Sequence, residues 1–85
     1  MTTQQRFEIL LTKCGMFDSQ ASAVMEIAKS RISDLAPGYN ITWDGPANEY
    51  PDAFYALGFN FAIKPAAIEW IEQNVPNAWY KPMFQ

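Results

Sequence analysis

The stretch 36–51, APGYNITWDGPANEYP, constrains every other part of this chain. Pro37, Pro46 and Pro51 each lack a backbone donor and have a fixed φ. Together with Gly38 and the Asp44-Gly45-Pro46 turn signal, they rule helix out of most of it. Regular structure is therefore left to the two flanking segments. A connection this long in a chain of 85 residues is either functional or tied down by its own side chains. Tyr39, Ile41 and Trp43 alternate, which predicts a short extended piece with its apolar side on the helices. Packing outweighs a ligand role for them, because bulky aromatics are core material by default.

Before the loop, Phe7, Leu10, Leu11 and Cys14 form one apolar stripe on a helix predicted from about residue 3 to Cys14. Gly15 stands where a left-handed residue is wanted after that helix, with Met16 placed to close on Leu11. Asp18 is the expected N-cap of a second helix that Pro37 and Gly38 stop. Its seam is Ala21, Met25, Ala28, Ile32 and Leu35, narrow enough for close packing on the first helix. Cys14 reads as a small buried hydrophobe, since the chain contains no histidine to activate a thiol.

After the loop, PDAFYALGFNFAI is apolar on nearly every side. Phe54, Leu57 and Phe61 make a helical stripe, while Phe59, Phe61 and Ile63 also alternate as a strand would. The reading adopted is a buried helix, broken or sharply kinked at Lys64-Pro65. Pro65 then opens a last helix with Ile68, Ile71 and Val75 inward, Trp70 flanking, and Glu69 and Glu72 in water. The segment PNAWYKPMFQ holds Trp79, Tyr80, Met83 and Phe84 between and beyond two prolines, so an ordinary helix or central strand is excluded there. Four free apolar side chains on a soluble domain would make an aggregation-prone patch, which favours a tail folded across the helices. The expected fold is thus mainly α: residues 1–85 as a single small domain of three to four helices, with a long aromatic central loop and an extended C-terminal tail packed on the helices.

Charge and composition remove several function classes. The net charge is −3, and residues 32–63 carry Asp34, Asp44, Glu49 and Asp52 with no base at all. Phosphate binding needs a basic stripe, so nucleic acid is not an expected partner. No window approaches the roughly 18 apolar residues of a membrane span. With one cysteine, no internal disulfide is possible, and MTTQQRFEILL lacks the pattern of a secretory signal, so a reducing cytoplasm is the expected location.

Without histidine, the usual proton shuttle and the commonest metal ligand are missing, and no phosphate-binding glycine loop is present. Asp44, Glu49 and Asp52 remain as hard oxygen ligands or an acid/base pair, but their spacing matches no calcium loop and they read as turn-forming and solubilising residues. No enzymatic activity, cofactor or metal is expected.

The stretches GMFDSQA at 15–21, YP at 50–51, AIEWI at 67–71 and NVPNAWYKPMF at 74–84 resemble a group of small uncharacterised helical proteins of tailed bacteriophages and prophages, which end in Trp-aromatic-basic-Pro-Met-Phe. The likeness spans almost the whole chain except the central loop. It implies a phage accessory protein acting in the host bacterial cytoplasm, and it carries no catalytic or binding role onto any residue.

Interfaces draw their energy from aromatic and Met anchors. The function expected is therefore non-enzymatic binding of a host or phage protein through an aromatic, acidic surface, with Tyr39, Trp43, Asp44, Glu49, Tyr50, Trp79 and Tyr80 as candidate contacts. The alternative is a small-molecule or peptide-binding domain with an aromatic pocket between the central loop and the tail. A homo-oligomer stays open as a third, structural role. Deleting residues 79–85 is expected to lower the folding stability by several kcal/mol, a large part of the roughly 5 to 15 typical of a domain. Urea unfolding measures it; a truncated chain that unfolds like the full one but fails to capture its partner would make the tail a recognition motif instead.

Overall fold

The computed structural model describes residues 1–75. It is mainly helical: α1 (Thr3–Lys13), α2 (Asp18–Leu35), a 3-10 turn at Ala47–Glu49, α3 (Asp52–Gly58), a π-helical segment Phe59–Ile63, and α4 (Lys64–Asn74). Strand pairing among the described residues is limited to an isolated bridge between Thr2 and Pro46.

Each end of α1 is closed by its own sequence. Thr2 accepts from the Gln5 amide at 3.1 Å, and the Gln5 side chain accepts from the Thr2 amide at 2.8 Å, a capping box written as Thr-x-x-Gln. At the other end Gly15 takes φ +101°, its amide bonds the Thr12 carbonyl, and the Met16 amide bonds the Leu11 carbonyl. That is a Schellman closure, and it buries Leu11 and Met16 side by side. The four residues 14–17 then turn the chain into α2, so α1 and α2 form a helical hairpin. Asp18 is not the cap of α2: Phe17 occupies that position, with its amide held by Gln20 Oε1 at 2.9 Å, and Asp18 lies in the first turn where its charge suits the helix dipole.

The central loop is tied down by α1. The first amides of a helix have no partner within it. Here the Thr3 amide donates to the Gly45 carbonyl and the Gln4 amide to the Trp43 carbonyl, both at 3.0 Å, while the Ala47 amide donates to the Met1 carbonyl at 2.9 Å. Farther along, the Tyr55 hydroxyl donates to the Ala47 carbonyl at 2.6 Å in a buried position. Trp43 is drawn onto the core, Ile41 is half-buried, and Tyr39 stays exposed. Only part of the expected Tyr39, Ile41 and Trp43 apolar side therefore faces the helices.

Phe7 is fully buried at the meeting point of these elements. Its ring lies 4.9 Å from that of Tyr55, 5.8 Å from Phe54 and 6.0 Å from Trp43, in the tilted arrangements aromatic pairs prefer. On the remaining side sits Gly58, where an added Cβ would come within 2.9 Å of Phe7 Cζ. The core continues through Ala21, Val24, Met25 and Ala28 of α2.

Residues 52–74 run on as one rod, because Gly58, Phe59, Ile63 and Lys64 all keep right-handed helical angles. The expected break at Lys64-Pro65 is absent. In a straight α-helix the Pro65 ring would strike the carbonyl four residues back. Widening the turn before it, with the Lys64 amide bonded to the Phe59 carbonyl five residues back, admits the proline without a break. The wide turn also changes which side faces inward. Phe54, Leu57, Phe61, Ile68, Ile71 and Val75 step by three, four and seven and would share one stripe of an unbroken α-helix. Tyr55, Phe59, Ile63, Ala67 and Ile71, four apart, face inward, with Phe59 half-buried and the others buried, and Ala62 and Ala66 are buried beside them; Phe54, Ile68 and Val75 are half-buried against the same core, as expected of the last two. Leu57 and Phe61 face out, as does Leu35 at the end of α2, against the expected seam. The alternative of a strand across Phe59, Phe61 and Ile63 is excluded by the π-helical backbone there.

Gly58→Ala is expected to destabilise the protein by up to about 2 kcal/mol: overpacking against an enclosed ring costs about 1–3, offset by the ~1 that alanine gains over glycine in a helix. Urea denaturation of Gly58→Ala, Phe7→Leu and the double variant checks the cause. The double variant should lose less than the sum of the two single ones, because the smaller side chain leaves room for the new methyl group.

Candidate functional site

Single exposed apolar residues are ordinary; several converging on one place are not. Leu35 is 65% exposed, Tyr39 56%, Leu57 58% and Phe61 68%, and all four line one open groove with a cavity volume of about 390 Å³. Its walls come from three elements: Ile32 and Leu35 on the last turns of α2, Tyr39 and Ile41 on the loop that follows, and Leu57 and Phe61 on the third rod. Small residues make its floor, with Gly58 and Ala62 between the walls.

The groove follows from local causes. Pro37 and Gly38, the latter at φ +86°, end α2 and turn the chain, so Leu35 and Tyr39 stand on either side of the bend. Gly58 has to face Phe7, and that rotation points Leu57 and Phe61 to the opposite side of Tyr55 and Ile63. Tyr39 brings the only polar side-chain atom among the described lining residues. The groove can thus bury apolar surface and accept or donate one hydrogen bond at its edge, but it gathers no acid/base pair. Beside it, Asp34 is exposed, and Arg31 is engaged by Glu69.

The seven candidate contacts are dispersed. Tyr39 stands in the groove. Trp43 packs on Phe7 and lies 5.9 Å from Lys29 Nζ in a cation–π arrangement. Tyr50 stacks on Phe54 with centroids 4.3 Å apart, and its hydroxyl accepts from the Thr42 amide at 2.9 Å. Asp44 and Glu49 are exposed on the loop turns that cover the start of α1. Trp79 and Tyr80, with the rest of the expected tail packing, lie outside the described residues. Trp43 and Tyr50 are therefore engaged in the fold, while the groove's strongest walls, Leu35, Leu57 and Phe61, are residues that periodicity assigned to the core. One signal for them was present in the sequence: residues 54–63 are apolar on more sides than one helix can bury.

Among the described residues, no three carboxylate or cysteine side chains gather where they could hold a metal ion. Asp52 is instead paired with Arg6, whose guanidinium also lies over the Tyr55 ring at 3.9 Å. Cys14 is half-buried rather than fully so, and burial pushes its thiol above the usual value, away from thiolate reactivity. No described helix is long and apolar enough to cross a membrane.

Because Leu57 and Phe61 are mostly exposed, Leu57→Ser and Phe61→Ser should change the unfolding free energy by less than about 1 kcal/mol, whereas Tyr55→Ala should cost about 3–5, as removal of a buried aromatic does. Urea denaturation monitored by circular dichroism separates the two classes. A large loss for Phe61→Ser would mean that its side chain belongs to the core. No protein family, curated protein or solved structure matches this chain.

Proposed function

We propose that the protein is a non-enzymatic binding module that takes a short apolar segment of another protein into the groove walled by Leu35, Tyr39, Leu57 and Phe61. The carrying observation is the convergence of these four exposed side chains on one groove almost free of polar lining. Interfaces gain most of their energy where aromatic and aliphatic anchors enter such depressions. The surrounding charge defines the partner further. Residues 32–63 hold four carboxylates and no base, and of these only Asp52 has a cationic partner among the described residues. A segment with large apolar anchors and flanking Lys or Arg therefore fits, with Asp34, Asp44 and Glu49 steering its approach.

A phage or prophage accessory role in a host cytoplasm is part of the same proposal, supported by the resemblance of the stretches 15–21, 67–71 and 74–84. So is a C-terminal tail that packs on the helices. A small-molecule site has less support, because ligand pockets combine apolar walls with several convergent polar groups and this groove has one tyrosine hydroxyl.

Peptides selected against the full chain from a random displayed library test the reading. The expected winners carry two or more large apolar residues flanked by basic ones, and calorimetry should show at least tenfold weaker binding to Leu57→Ser/Phe61→Ser. Their association should slow as salt rises and slow further with Asp44→Asn/Glu49→Gln, while folding is unchanged. Peptides that bind the groove variant as tightly as the parent chain refute the site.

A further inference from the structure

The chain carries a segment of its own with the chemistry the groove requires. Residues 76–85 contain Trp79, Tyr80, Met83 and Phe84 as large apolar side chains and Lys81 as their single charge. The place where the described chain ends determines what this segment can reach. Val75 follows α4 with φ −126° and ψ 112°, the extended backbone that a residue before proline adopts. The helix α4 starts two residues after Ala62 on the groove floor and is 11 residues long, so Val75, 13 residues beyond Ala62, stands on the order of 20 Å along the rod from the groove. Extended chain covers at most about 3.3–3.6 Å per residue, which takes Trp79 only about 13 Å from Val75 but Met83 and Phe84 about 27–30 Å. Of the four anchors, the last two reach the groove with slack for a turn, while Trp79 and Tyr80 fall short of it. Charge agrees with this direction. Asp34 is exposed, lines a depression with the groove walls Leu35 and Phe61 and has no ion-pair partner among the described residues, and Lys81 lies two residues before Met83.

We propose that Met83 and Phe84 of the same molecule occupy the groove, with Lys81 set against Asp34, so that a partner binds by displacing them. This rests on the groove being the partner site. It makes the tail an internal competitor that lowers apparent affinity and keeps Leu57 and Phe61 covered until a partner arrives.

The test uses the full chain with methionine methyl groups labelled with carbon-13. Nuclear Overhauser contacts should join the Met83 methyl to Leu57 and Phe61. Phe61→Ala should move the Met83 resonance and leave that of Met25, which is fully buried in the core, in place as the control for folding. Met83→Ser/Phe84→Ser should tighten binding of a groove-selected peptide about tenfold, as removal of a competitor populated at about 90% requires. A Met83 resonance indifferent to Phe61→Ala overturns the proposal, as does an unchanged peptide affinity in the double variant. Contacts found only between labelled and unlabelled copies also overturn it, in favour of a second molecule in the groove. If peptides bind the groove while Met83 ignores Phe61, only this inference fails; if Met83 contacts Phe61 but peptides ignore the groove, it is the partner site that fails.

Discussion

The seat of the Phe7 ring on Gly58 is the contact on which the other packing choices depend. Phe7 is the first apolar residue of the α1 stripe, and its ring is enclosed by Trp43 of the loop and by Phe54 and Tyr55 of α3. Two of those three neighbours stand on the same rod as Gly58, and only a residue without a Cβ lets the backbone of that rod come so close to the ring. A glycine inside a helix ordinarily costs about 1 kcal/mol relative to alanine, so its presence here reflects the ring it accommodates.

Once Gly58 faces Phe7, the rotation of the third rod is set. Tyr55, Ile63 and Ala67 turn inward, and Leu57 and Phe61 turn away. The π-helical segment serves the same end from the other side, because it admits Pro65 without a break and lets a four-residue spacing stay on the core face. The groove is thus a consequence of core packing: the side chains that lose their place around Phe7 and Ile63 become its walls. Their exposure costs little in folding, since they contribute little to the core, and it leaves them available for binding.

The loop has a comparable double use. Its carbonyls at Trp43 and Gly45 satisfy the first amides of α1, so the segment that breaks helical order in the middle of the chain also completes the helix at its start. That anchoring holds Trp43 and Tyr50 in the fold and leaves Tyr39, closer to the end of α2, at the groove. The aromatic residues of the loop thereby divide into structural and exposed ones by their distance from these backbone bonds.

Local chemistry was legible in the residues themselves. The apolar stripe of α1, the Gly15 closure on Leu11, the stop of α2 at Pro37-Gly38 and the mainly helical character follow from spacing, caps and breakers that act within a few residues. The capping box at Thr2 and Gln5 was missed, and the cap of α2 expected at Asp18 lies at Phe17, whose amide Gln20 holds. For residues 54–63 the sequence left helix and strand open, and the helical stripe read there put Leu57 and Phe61 inside, where the structure turns them out. Two apolar stripes run through residues 54–68, one through Phe54, Leu57, Phe61 and Ile68, the other through Tyr55, Phe59, Ile63 and Ala67, and no local rule prefers either. Tertiary structure decided between them because the deciding contact joins Phe7 to Gly58 across the chain. By choosing the second stripe it turned Leu57 and Phe61, core residues by periodicity, into the walls of a site.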